Sequence, residues 1–192
     1  MVALAEADAL RNLGPKTRRE AVWQTLALAP KYLAPEEPPL LEEAIPGFAP
    51  LDSFETIAWD HRTTGSSTRG HPLLPLRGRL AAAGLPTACE VSKLRNGTRA
   101  RYAGIVICRQ RPGTASGVVF MTLEDETGFV NLVLWPDVFE AHRHLAQTFS
   151  FLGVSGRVQA EQGTTHIVVD QLFHPEISKT VAPPEIPSRD FH

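Results

Sequence analysis

The stretch Tyr102-Ala103-Gly104-Ile105-Val106-Ile107-Cys108, with the segments Gly117–Glu124 and Phe129–Trp135 after it, decides the fold. The first run is apolar and β-branched, and the next two alternate apolar and polar residues, so all three read as strands. Glu124-Asp125-Glu126-Thr127-Gly128 joins the second and third as a turn, with Gly128 free to take positive φ. Beyond Pro136, Asp137–Leu145 reads as a helix. Thr148–Gln159 and Thr164–Phe173, joined by a hairpin at Glu161-Gln162-Gly163, bring the strands to five. Three strands, a helix and two strands is the order of an OB-fold barrel. Gly104 suits the bend by which a first strand serves both halves of such a barrel. The expected class is mainly β: a five-stranded OB-fold barrel preceded by short α-helical segments.

Outward from the barrel, proline marks the boundaries. Six of the sixteen prolines fall between Pro30 and Pro50, and Pro175, Pro183, Pro184 and Pro187 lie near the end. Both stretches read as extended chain, because proline lacks an N–H and resists helix continuation. The expected organisation is a helical segment at 1–29, a Pro-rich linker at 30–51, a helical connector at 52–94, the barrel at 95–175 and an extended tail at 176–192. Within 1–29 two helical patterns are split at Gly14-Pro15, a helix stop followed by a helix start. Leu13-Gly14-Pro15-Lys16-Thr17 has the look of a phosphate-binding helix-hairpin-helix turn, but a plain connection between packed helices is the favoured reading. In the connector, Asp52 and Glu55 form a capping-box start. Leu73, Leu76, Leu80 and Ala83 form one face of a helix opened by Pro72 and closed by Gly84. Trp59 and His71 read as packing residues.

Composition narrows the function. At 192 residues one barrel plus a smaller helical part fits comfortably. No apolar run is long enough for a membrane span and no signal peptide is evident, so a cytoplasmic setting without a membrane partner is expected. Cys89 and Cys108 make neither a disulfide framework nor a metal pair. A net charge of -2 argues against phosphate binding by the whole surface, so any nucleic-acid face must be local.

Alternation identifies that face. Val119, Met121 and Leu123 share one parity and leave Phe120 and Thr122 on the other; Val130, Leu132 and Leu134 likewise oppose Phe129, Asn131 and Val133. OB-folds bind along strands two and three and in the adjoining loops. Phe120 is suited to stack on a base, with burial under the connector the equally weighted alternative, and Asn131 to hydrogen-bond beside it. Arg99, Arg101, Arg109 and Arg111 crowd the first strand and its loop, and Arg157 on the fourth strand extends the patch. Guanidinium groups there suit phosphates, although each taken singly is as readily a solvated charge.

Other constellations fail. His142 and His144 lie two apart on a helix and diverge. Glu124, Asp125 and Glu126 sit in a turn, where acidic residues serve turn chemistry. Gln171-Leu172-Phe173 resembles a sliding-clamp peptide but follows the fifth strand's alternation. There is no nucleophile–base pair, P-loop or dinucleotide fingerprint. The sequence points to no catalytic residue, metal or cofactor.

The run from Tyr102 to Gly128, with Arg109-Gln110-Arg111-Pro112-Gly113-Thr114-Ala115-Ser116-Gly117 at its centre, resembles the C-terminal OB domain of bacterial error-prone DNA polymerases. These are damage-tolerant relatives of the polymerase III alpha subunit. Thr122-Leu123-Glu124-Asp125-Glu126-Thr127-Gly128 is similar to many alpha-subunit OB domains, whereas the loop before it is specific to the error-prone branch. His71-Pro72-Leu73, the helices from Leu4 to Trp23, which resemble those after the family's helix-hairpin-helix, and Ser188-Arg189-Asp190-Phe191-His192 extend the likeness over nearly the whole chain. Gly65-Ser66-Ser67 departs from it, where the family tends to place a leucine. The resemblance implies a single-stranded-DNA-binding module that works with a polymerase catalytic subunit or translesion accessory proteins. It implies no catalysis in isolation, since the palm and its metal-binding aspartates are missing. A separately encoded C-terminal piece or a gene fragment is expected. The alternative role is an interaction platform in a repair complex.

Overall fold

The computed structural model describes residues 1–33, 47–114, 116–161, 164–176 and 189–191, which separate into two units, Met1–Arg69 and Gly70–His192. The segment expected as one connector, 52–94, is divided between them. The expected linker residues 34–46, the hairpin residues 162–163 and most of the expected tail lie outside the described residues. No helix among the described residues is long and apolar enough to cross a membrane.

The first unit contains α1 (Val2–Glu6), α2 (Arg18–Leu33) and α3 (Ser53–Thr64). α2 runs past Pro30, so that proline, at the helix's last turn, does not end it. At the Gly14-Pro15 connection the Lys16 N–H donates to Glu20 at 2.9 Å and the Glu20 N–H donates to Thr17 Oγ1 at 3.1 Å. Those donors are consumed in starting α2. α3 opens with the expected capping box, the Glu55 N–H donating to Asp52 at 2.7 Å and the Asp52 N–H to Glu55 at 3.0 Å.

Asp60 ties the unit together. Its buried carboxylate pairs with Arg18, accepts from Ser67 Oγ at 2.7 Å, and holds Arg69 through contacts of 2.9 and 3.0 Å. Arg69 reaches on to Asp8 at 2.6 Å. Burial by itself would raise the Asp60 carboxyl, but the hydrogen bonds from Arg18, Ser67 and Arg69 outweigh it and leave it below its ordinary value.

In the second unit a short 3₁₀ turn (Leu74–Leu76) leads into α4 (Arg77–Ala82), and α5 (Ala88–Val91) follows. Leu73, Leu76 and Leu80 are buried as the periodicity predicts; Ala83 is exposed, because the helix ends before it. The strands are β1 (Arg99–Gln110), β2 (Val119–Asp125), β3 (Gly128–Leu134), β4 (Phe151–Glu161) and β5 (Thr164–Phe173). α6 (Pro136–Ala141) and α7 (Arg143–Thr148) occupy the place of the single expected helix, which breaks where His142 leaves helical geometry at φ -118°. A sixth strand, β6 (Arg189–Phe191), lies parallel to Cys108–Gln110 within the expected tail.

β1 pairs with β4 over Arg99–Ile105 and with β2 over Ile105–Gln110, and the order β1-β2-β3-β5-β4-β1 closes the barrel. This is the OB-fold barrel read from the strand order. Its core includes Tyr102, Val106, Met121, Leu123, Leu132, Leu134, Leu152, Val154, Ile167 and Leu172. Two glycines permit closure. A Cβ on Gly104 would meet the Glu124 carbonyl oxygen at 2.9 Å, and one on Gly156 would meet the Val168 carbonyl oxygen at 2.1 Å. Gly156 sits where the β4–β5 register shifts and Asp170 is left without a cross-strand partner.

The acidic turn is structural. Asp125 is buried and accepts from the backbone N–H of Ala88 and of Thr127, each at 2.8 Å, and from Arg77 at 3.0 Å. Arg77 also pairs with Glu126 and donates to the Leu85 carbonyl at 3.3 Å. One arginine and one aspartate therefore anchor α4 and α5 on the β2–β3 turn.

Two outcomes follow. Gly156→Ala is expected to lower the urea stability of the barrel by about 1–3 kcal/mol or more, since backbone must move to admit the methyl. Asp60 contributes stability that is present above the ordinary carboxyl value of 3.8 and is lost as the pH falls through its lowered folded value. An acid titration followed by tryptophan fluorescence should therefore show a transition below that value. Asp60→Asn should weaken that acid transition and destabilise the unit at neutral pH, by about 3–5 kcal/mol for the buried arginine it strands.

Candidate nucleic-acid interface

Strand register puts the outward side chains in rows. One row runs Gln110–Phe120–Val133–Val168–Arg157–Arg99, crossing from β1 over β2, β3, β5 and β4 back to the start of β1. The next runs Cys108–Thr122–Asn131–His166–Gln159. None of these residues is buried, whereas Val119, Met121, Leu123, Val130, Leu132 and Leu134 line the core. Phe120 is 38% exposed, a large aromatic ring on the outward face of the sheet. Thr122 Oγ1 donates to Asn131 Oδ1 at 3.0 Å, which holds the amide against the sheet. His166 Nε2 lies 3.1 Å from Gln159 Oε1.

Two further aromatics, which the sequence did not mark as binding residues although it put Phe129 on the outward side, are more exposed than Phe120. Phe129 is 65% and Trp135 55% exposed. Trp135 lies two residues beyond Val133, the cross-strand partner of Phe120, and directly precedes α6. The parity that selected Asn131 extends to both: 129, 131 and 133 share one side of β3, and 135 continues the alternation in the extended residue just past its end. His166 joins them only through the β3–β5 pairing, which separation in sequence conceals.

The candidate arginines fall into two sets. Arg109 is half-buried, and its guanidinium donates to the carbonyls of Ala146 and Phe149 at 2.7 Å each, closing the C-terminal end of α7. Arg111 lies over the Phe139 ring of α6 at 5.5 Å, and Arg143 faces the same ring at 5.9 Å. The first-strand loop is thus turned toward the two helices. Arg99, Arg101 and Arg157 stand on the β1–β4 seam instead. Arg99 and Arg157 are directly opposed across it, Arg99 pairs with Asp170 at 2.6 Å, and Arg101 lies 5.0 Å over Phe173.

Charge gives the face a direction. Glu124, Asp125 and Glu126 occupy the turn at one end, with burial and then the neighbouring Asp125 holding the Glu124 carboxyl above its ordinary range. Phe120 lies at the other end of β2, on the row that leads to Arg157 and Arg99. The acidic side chains and the exposed arginines of this face are thus set apart along it. Among the described residues, no group of three or more His, Cys, Asp or Glu is placed to hold a metal ion.

Residues 100–174 match the family described as OB-fold nucleic acid binding domain. The chain is 41% identical to an error-prone DNA polymerase of Caulobacter vibrioides, over 98% of this chain and 19% of that protein. It is 43% identical to one of Methylococcus capsulatus, over 98% of this chain and 18% of that protein. Among solved structures, asparaginyl-tRNA synthetase from Pyrococcus horikoshii complexed with asparaginyl-adenylate is 25% identical, with a TM-score of 0.41 over 47% of this chain and 22% of that one. The chain spans about one fifth of the length of the curated relatives it matches. Over nearly its whole length it corresponds to the C-terminal, OB-fold-bearing region of error-prone DNA polymerases.

Proposed function

We propose that this chain is the single-stranded-DNA-binding module of an error-prone, translesion-type DNA polymerase, holding template beside a polymerase catalytic subunit and translesion accessory proteins. The observation that carries this reading is Phe120, exposed on the outward face of β2 and in register with a row that ends at Arg157 and Arg99. Bases stack on such rings without regard to sequence, because every base has a π-face. Asn131, fixed by Thr122, offers a hydrogen-bonding amide one row away, and Trp135 extends the aromatic surface. The near-neutral net charge of -2 fits a module whose affinity is local and modest.

A second reading has one observation in its favour. Phe129 and Trp135 are more exposed than Phe120, and apolar rings so exposed also suit a protein partner. One titration separates the two. Fluorescence anisotropy with labelled oligothymidylate at low salt should show binding that weakens linearly in log salt. Phe120→Ala should weaken it by about 5- to 150-fold, the equivalent of 1–3 kcal/mol of stacking. No binding by the unaltered chain at low salt would overturn the nucleic-acid reading in favour of the platform. Arg109→Ala is expected to act chiefly on stability, lowering it by roughly 1.5–3 kcal/mol as two carbonyls lose a charged donor, and a thermal melt checks this.

A further inference from the structure

Arg99 and Arg157 face each other on adjacent antiparallel strands, both exposed. Like charges directly opposed across a ladder are unfavourable unless something negative lies between or beside them. Asp170 supplies part of that charge, 2.6 Å from Arg99, from a position where the β4–β5 register skips a residue. Among the described residues Arg157 has no carboxylate within ion-pair distance. The site therefore carries an unneutralised guanidinium beside one held by a single exposed aspartate.

The next row on the same seam is Arg101–Ser155–Gln171, and these residues with Arg99, Ala100 and Phe173 line a shallow, open cleft. Its wall is formed. A Cβ on Gly153 would fall 2.2 Å from the Phe173 ring, so the ring rests directly on the glycine backbone. Arg101 lies 5.0 Å over that ring and donates to the Ala83 carbonyl at 3.3 Å, which fixes its guanidinium at the cleft edge. Three cations against one anion, with hydroxyl and amide groups between them, match the chemistry of a phosphodiester backbone.

We infer that the β1–β4–β5 cleft, together with Arg157 on the row beside it, is a second subsite for a nucleic-acid strand: Arg99 and Arg157 share one backbone phosphate and Arg101 holds the next. The strand leaves the β2–β3 face at Phe120, crosses β5 and β4 along the Val133–Val168 row, and reaches the seam. Asp170 competes with the phosphate for Arg99. The inference rests on single-strand binding at the β2–β3 face and adds the path of the bound strand.

The test uses the full chain with labelled oligothymidylates of roughly four and roughly sixteen nucleotides, the range of site sizes on OB-folds. The double variant Arg99→Ala with Arg157→Ala should bind the short oligonucleotide as the unaltered chain does and the long one at least tenfold more weakly. Its salt slope on the long strand should be smaller by about 0.7, for the one phosphate that the two arginines share. Asp170→Asn should tighten the long strand severalfold, a gain that a folding defect cannot produce. If the double variant binds the long strand unchanged while Phe120→Ala still weakens both, the subsite is wrong and the β2–β3 reading stands. Equal losses on both lengths would also overturn it, by making the arginines part of the primary face. If the unaltered chain binds neither length, both readings fall.

Discussion

The barrel depends on one strand serving two ladders. β1 gives its first half to β4 and its second half to β2, and it turns from one to the other at Ile105, which appears in both registers. That turn brings backbone against backbone: the Glu124 carbonyl comes to within 2.9 Å of where a side chain on Gly104 would begin. β4 has the same difficulty against β5 at Gly156, where the ladder slips a residue. Closure removes sheet edges and their unpaired backbone groups, at the cost of positions where no side chain fits. The outward rows follow, because closure sets which residues of distant strands stand side by side.

A second constraint sits at the β2–β3 turn. Asp125 has no access to water, so its charge is tolerable only with several donors, and the N–H groups of Ala88 and Thr127 together with Arg77 supply them. The donors come from α4, from α5 and from the turn itself, so satisfying one carboxylate docks the preceding helices. The acidic cluster that looks like a metal site is thereby spent on architecture. It also leaves the turn end of the proposed binding face unfriendly to phosphate.

Arginine chemistry divides along the same lines. Arg109 donates to carbonyls at the end of α7, a structural use that its place among the arginines at the end of the first strand does not betray. Arg99, Arg101 and Arg157 remain at the surface, one facing an aspartate, one lying over an aromatic ring and one without a carboxylate partner among the described residues. Exposed cations held in fixed geometry are better phosphate ligands than mobile ones, because less side-chain entropy is lost on binding.

Much of this was legible in the sequence, and for definite reasons. Alternation at Val119–Leu123 and Val130–Leu134 states which side of each strand meets the core, and the strand–helix–strand order states the barrel, because period and order are local properties of the chain. The same parity put Phe120, Phe129 and Asn131 on the outward side and would have reached Trp135 had it been carried one residue past the end of β3. The resemblance to error-prone polymerases was likewise carried by contiguous residues. What the sequence could not state was anything that depends on register between strands distant in the chain. That Arg157 faces Arg99, that His166 stands beside Asn131, that Arg109 reaches Ala146, and that residues 189–191 lie along β1 all follow from pairings many residues apart. A one-residue slip would reverse each of those relations while leaving every local pattern intact. The sequence by itself therefore determined the barrel and its faces; only the closed tertiary structure decided which charges share a face, because closure alone sets the stagger of its strands.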